Sequence, residues 1–132
     1  MKETKKEKGY TIVFIEDEKE LLNSVSQLLR DQGFTVTAVP DAEHALAWLK
    51  TSSPDLILAD IKLPGIDGFD LFHEVKKESR LRSVPIVFLT AFNNVQAMQY
   101  AKSIGAAEYI TKPFYFEYLI ARIRFHLGVS AA

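Results

Sequence analysis

The feature that most restricts how this 132-residue chain can fold is a strict alternation of short apolar runs with longer amphipathic stretches, repeated five times. "YTIVFIE" (Tyr10 to Glu16), "FTVTAV", "DLILA", "VPIVFLTA" and "EYIT" are rich in β-branched, aromatic and aliphatic residues and are bounded by turn formers. They read as strands. Between them, "DEKELLNSVSQLLRDQG" places Leu21, Leu22, Val25, Leu28 and Leu29 on one helical face, with Gly33 at its C-terminal end. Pro40-Asp41 opens a helix carrying Ala42, Ala45, Leu46 and Leu49. "DGFDLFHEVKKE", "NNVQAMQYAKSIG" and "YFEYLIARIRFHLG" read as the remaining helices, the last two ending at Gly105 and Gly128. Such alternation predicts a parallel sheet covered by helices on both faces, with right-handed crossovers. A closed eight-unit barrel needs far more chain, so the expected fold is an α/β open doubly wound five-stranded parallel sheet.

Composition sharpens this. Hydrophobic residues make up 48% and charged residues 25%, the balance of a globular domain. A net charge of −1 offers no broad field for nucleic acid, so direct nucleic-acid binding is not expected. The absence of cysteine removes disulfides, zinc-thiolate sites and thiol catalysis, and fits a reducing compartment. No apolar run approaches the roughly 20 residues that cross a bilayer. The start, "MKETKKEK", lacks the apolar segment of a secretory signal. The expected organisation is a charged flexible tail over 1–8, one domain over 9–128, and a C-terminal tail or the start of a linker over 129–132. The expected location is cytoplasmic, with no membrane association.

In open parallel sheets, ligands bind beyond the carboxyl ends of the strands. There the first strand ends in Glu16-Asp17, the third in Asp60, the fourth in Thr90 and the fifth in Lys112. Three carboxylates gathered at one edge repel, each pair by roughly 4 kcal/mol at about 4 Å and an effective dielectric near 20. A hard divalent cation relieves this. An oxygen-only ligand set selects Mg²⁺ or a similar ion such as Mn²⁺. Lys112 and Thr90 add a cation and a hydroxyl donor, the groups that stabilise a transferring phosphoryl group. An aspartate such as Asp60 can be the nucleophile, forming an aspartyl phosphate.

These residues lie in "IVFIEDE", "LILADIKLPGIDGFDL", "VPIVFLTA" and "AAEYITKPF", and in that order the chain resembles the receiver domains of two-component response regulators, from about Gly9 to Gly128. The resemblance implies the flavodoxin-like (βα)5 strand order 2-1-3-4-5. Asp60 matches the phospho-acceptor. Glu16 and Asp17 match the acid pair that positions Mg²⁺, with Asp17 and Asp60 as direct ligands and the backbone carbonyl of Lys62 as the third protein ligand. Thr90 matches the switch hydroxyl, Lys112 the lysine that pairs with the phosphoryl group, and Tyr109 the aromatic switch residue. The Lys112–Pro113 bond resembles the family's cis peptide. The implied function is phosphorelay signalling. A partner sensor histidine kinase or phosphotransfer protein donates phosphate to Asp60, and the changed conformation controls an output. The chain would then be a switch and not an enzyme in the ordinary sense, catalysing only its own phosphoryl transfer and slow dephosphorylation.

Three other readings compete. A flavodoxin-type electron carrier needs a Ser/Thr/Gly-rich phosphate loop after the first strand, where this chain has "EDEKE". Mg²⁺-dependent phosphohydrolases of the Toprim or haloacid-dehalogenase kind place paired acids as Asp-x-Asp, where this chain has Asp60-Ile61-Lys62. A receiver that acts only as a docking module would not need the full set of five polar groups.

Two positions depart from the best-known family members. The residues two after the phospho-acceptor and two after the switch threonine flank the approach of water to the phosphoryl group, and here they are Lys62 and Phe92. On the last helix, Phe116, Leu119, Ile120, Ile123 and Leu127 form the core stripe, leaving Tyr115, Tyr118, Arg122 and Phe125 aside. With Glu108 they partly resemble receivers that form a homodimer through helix four, strand five and helix five, although the fourth helix lacks an arginine those dimers use. His44, His73 and His126 are expected to face solvent, and Trp48 to pack beside the core.

Overall fold

The computed structural model describes residues 9–129, so the expected tail over 1–8 and residues 130–132 lie outside the described residues. Five parallel strands form one sheet: β1 (Thr11–Ile15), β2 (Thr35–Val39), β3 (Leu56–Ala59), β4 (Ile86–Thr90) and β5 (Glu108–Thr111), in the spatial order β2-β1-β3-β4-β5. The helices are α1 (Lys19–Asp31), α2 (Ala42–Leu49), α3 (Gly68–Lys76), α4 (Val95–Ile104) and α5 (Phe116–Leu127). A short 3₁₀ turn at Ser79–Leu81, absent from the sequence reading, joins α3 to β4.

Strand alternation divides the interior into two cores. Ile12 and Phe14 of β1, Leu56 and Leu58 of β3, Val87 and Leu89 of β4 and Ile110 of β5 pack under α1 and α5. Val13, Ile15, Ile57, Ala59, Ile86 and Phe88 face α2, α3 and α4 instead. The central strands are buried on both faces, which is why they read as unbroken apolar runs and not as alternating ones.

The helix ends follow side-chain chemistry. Asp41, Asp67 and Asn94 cap α2, α3 and α4 by accepting from the backbone N–H three residues on. Gly105 and Gly128 close α4 and α5 at φ +98° and +73°. Two expectations are corrected here. On α1 the buried line is Leu22, Val25, Ser26 and Leu29, while Leu28 is 42% exposed. At 100° per residue Leu28 falls on the flank of that stripe. His126 does not face solvent, since it folds back onto Glu108 of β5 at 2.8 Å. Trp48 does pack against the core. His44 and His73 are exposed, as expected.

Candidate functional site

Parallel register brings the polar strand ends together. Ile15 of β1 pairs with Ala59 of β3, so Glu16 and Asp60 emerge side by side, and the Asp60 N–H donates to the Ile15 carbonyl at 3.0 Å. Thr90 pairs with Thr111, and the Lys112 N–H donates to the Thr90 carbonyl at 2.9 Å. Lys112 then reaches across the edge. Its ammonium donates to Glu16 Oε1 at 2.8 Å and to Asp60 Oδ2 at 2.9 Å. The Lys112–Pro113 peptide is cis, as expected.

Asp60 is held on its other oxygen as well. Oδ1 accepts from the Ile61 N–H at 2.6 Å and from the Lys62 N–H at 3.3 Å. The loop after it must pass very close to α3. The Gly68 N–H donates to the Ile61 carbonyl at 2.8 Å, and a Cβ on Gly68 would collide with the Asp60 carbonyl oxygen and lie 2.8 Å from Ile61 Cα. Only glycine fits there.

Glu16, Asp60 and Thr90 are buried, and Asp17 is exposed. Glu16 spends Oε2 on the Glu18 N–H at 3.1 Å and Oε1 on Lys112. Burial raises the Glu16 carboxyl above the ordinary value, and the hydrogen bonds from Lys112 and Glu18 offset this only in part. Burial alone would lower Lys112. The bonds to Glu16 and Asp60 outweigh it, so the ammonium is held above the usual lysine value.

One oxygen from each of Glu16, Asp17 and Asp60 lies within 4.8 Å of the others. An all-oxygen, all-carboxylate set of this span suits a hard divalent cation. One lysine cannot neutralise three acids, so the donor chemistry and the charge balance both fit such an ion.

Thr90 of β4 and Tyr109 of β5 lie on the strand face that turns toward the α2–α4 layer, at the same edge of the sheet as Asp60. Phe92 joins them: its N–H donates to Thr90 Oγ1 at 3.1 Å, and its carbonyl accepts from the Tyr109 hydroxyl. Burial and the nearby Asp60 charge raise the Tyr109 phenol above its ordinary value, so it stays a donor. Phe92 also carries the Lys62 ammonium 4.2 Å from its ring centre. The sequence places Lys62 and Phe92 at the site but does not show that they touch, nor that the Phe92 backbone engages both Thr90 and Tyr109. Lys62 and Phe92 sit on separate loops, so residue spacing carries no signal of that contact.

Five parallel strands with an acid–lysine pocket at their carboxyl edge define the class: an open doubly wound domain whose clustered carboxylates could hold a cation. A family profile for the response regulator receiver domain matches residues 12–124, and the chain belongs to that family. It is 40% identical over 112 residues to the two-component response regulator PhoP of Pseudomonas aeruginosa, covering 85% of this chain and 49% of that protein. Against the sensory transduction protein RegX3 of Mycolicibacterium smegmatis it is 37% identical over 114 residues, covering 86% of this chain and 49% of the relative. The chain thus spans about half the length of these relatives. Among solved structures, it superposes on the non-phosphorylated HemR receiver domain of Leptospira biflexa with TM-score 0.84 at 26% identity, covering 93% of this chain and 98% of that one. It also superposes on the chemotaxis response regulator CheY4 of Vibrio cholerae with TM-score 0.82 at 27% identity, covering 89% and 98%. No helix among the described residues is long and apolar enough to cross a membrane.

Proposed function

We propose that Asp60 accepts a phosphoryl group from the phosphohistidine of a partner sensor kinase or phosphotransfer protein. The observation that carries this is that Asp60 accepts from Lys112 at 2.9 Å while an oxygen of each of Glu16, Asp17 and Asp60 lies within 4.8 Å of the others. A carboxylate oxygen of Asp60 attacks phosphorus as the donor's P–N bond breaks, and the bond's electron pair leaves with the imidazole, which takes up a proton from solvent. Mg²⁺ or Mn²⁺ at Asp17, Asp60, the Lys62 carbonyl and the Glu16-positioned edge would supply charge neutralisation for the phosphoryl oxygens. Lys112 pairs with the same oxygens. Thr90, whose Oγ1 accepts from Phe92, has its hydroxyl proton free to donate to them.

The phosphorylated form shifts an equilibrium in which Thr90 and Tyr109 move together, and a partner reads the favoured state. One such partner is a second copy of the chain, meeting it through α4, β5 and α5. There Tyr118 and Phe125 are exposed, and Arg122 both bonds Glu108 at 2.7 Å and stacks on Phe125 at 4.6 Å. We place the chain in the cytoplasm on the same reading.

The test is intact-mass measurement after incubation with Mg²⁺ and a small phosphodonor such as phosphoramidate. One phosphoryl mass is expected on the parent and none on Asp60→Asn. Addition that survives the substitution, or that proceeds equally with chelator present, contradicts the assignment.

A further inference from the structure

Outside the acidic pocket, five aromatic rings on β4, α3 and α4 close on one another. The buried Phe88 of β4 lies 5.3 Å from Phe69 and 6.2 Å from Phe72, both on α3. Phe69 meets Tyr100 of α4 nearly edge-on at 4.9 Å. His73 completes the circuit, 6.1 Å from Tyr100 and 5.8 Å from Phe72. A 2.7 Å hydrogen bond between His73 Nε2 and the Tyr100 hydroxyl closes it at the surface. At its inner end Phe88 touches the Tyr109 ring at 6.4 Å. An unbroken path of ring contacts therefore runs from Tyr109, beside the Asp60 pocket, to an exposed pair bridging α3 and α4.

The helix at the end of this path is lightly held. The buried residues of α4 are Ala97 and Ala101, which offer little area, and Val95, Met98 and Tyr100 are exposed. Tyr100 is therefore the aromatic tie between α4 and α3. Phe88 is fully buried, and rings packed at interior density cannot shift one at a time. If Tyr109 changes position, Phe88 loses a neighbour on one side, and Phe69 and Tyr100 must re-seat with it. Packed interiors convert such shifts into alternative arrangements, not continuous deformation.

We propose that this circuit couples Tyr109 to the α3–α4 surface, with Phe69 as the positioning residue, so that the His73–Tyr100 pair and the seating of α4 follow the state of Asp60. This rests on the reading of Asp60 as acceptor and Tyr109 as switch. It adds a second readout surface on a side of α4 that faces away from β5. Coupling of this kind is reciprocal. A change at Tyr100 must therefore alter how tightly the Asp60 pocket binds a phosphoryl mimic.

The test uses the full 132-residue chain, labelled with ¹³C in tyrosine and histidine and titrated with beryllofluoride in the presence of Mg²⁺. In the parent, the Tyr109 and His73 ring resonances should move together with one midpoint. In Phe69→Leu, the Tyr109 response should persist while the His73 response falls to about a third or less. Tyr100→Leu alters a side chain that is 43% exposed, so the fold is not at stake. It should weaken beryllofluoride binding about fivefold, the low end of measured couplings. A His73 resonance that stays fixed while Tyr109 moves overturns the proposal. So does a full His73 response in Phe69→Leu, or an unchanged affinity in Tyr100→Leu. If Tyr109 itself is silent and the parent gains no phosphoryl mass, the reading of Asp60 falls as well, an outcome distinct from failure of the coupling alone.

Discussion

The Lys62 ammonium sits 4.2 Å from the centre of the Phe92 ring, so side chains from the β3–α3 and β4–α4 loops meet beside Asp60. On the proposed phosphorylation of Asp60, the contact would tie together the two side chains expected to flank the approach of water to the phosphoryl group. A cation–aromatic contact at an exposed site contributes about 0.5–1 kcal/mol. Neither side chain offers a carboxylate or amide to orient an attacking water.

The phosphorylated protein should therefore lose its phosphate slowly. The decay of phospho-Asp60, followed by intact mass, should be at least several-fold faster in a Lys62→Asn, Phe92→Glu double variant than in the parent. Equal rates would show that the pair does not shield the site.

Glu16 predicts a pH-dependent stability. Burial holds its carboxyl above the unfolded value of 4.5, so its contribution to stability is fully present below that pH and is lost as pH rises through the folded value. Ionising Glu16 at pH 7.5 is therefore less favourable in the folded metal-free protein than in the unfolded chain. Glu16→Gln should raise the thermal midpoint at pH 7.5 and leave it nearly unchanged at pH 4. A midpoint that falls at pH 7.5 would mean that the bond to Lys112 outweighs burial.

Gly68→Ala should destabilise by about 2 kcal/mol or more, because a Cβ meets backbone on the Asp60–Ile61 side with no side chain to yield. Urea unfolding measures the loss. The same variant should take up phosphate more slowly, since the displaced backbone is the one that carries Asp60.

The exposed face of α5 predicts a phosphorylation-dependent dimer. Phe125 is 64% exposed, so Phe125→Glu should change stability by no more than about 0.5 kcal/mol. It should nevertheless abolish self-association of the phosphorylated form in sedimentation velocity. A parent that stays monomeric when phosphorylated at high concentration would remove the second copy as a partner.

Much of this molecule is written in local sequence signals. The apolar runs Ile12–Ile15 and Leu56–Ala59 could hardly be anything but buried strands, and Asp41 and Gly105 mark helix ends by their own chemistry. The polar groups of the pocket were legible because parallel strands deliver their ends to one edge. What escaped depended on where loops and long side chains come to rest. Leu28 lay one helical step off the buried stripe, and His126 found Glu108 across 18 residues. Lys62 found Phe92 across two loops, and the ring circuit joined residues from three separate elements. Residue identity gives each of these side chains several partners, and tertiary packing selects one.

The proposed phosphoryl transfer assigns the group to Asp60 and to no other acid of the cluster. Acyl phosphates are reduced by borohydride, which converts a phosphorylated aspartate to homoserine. The phosphorylated chain, treated with borodeuteride, digested and sequenced by mass spectrometry, should contain deuterated homoserine at residue 60 alone. Label at Asp17, or an unlabelled residue 60 in protein that has gained phosphoryl mass, would contradict it.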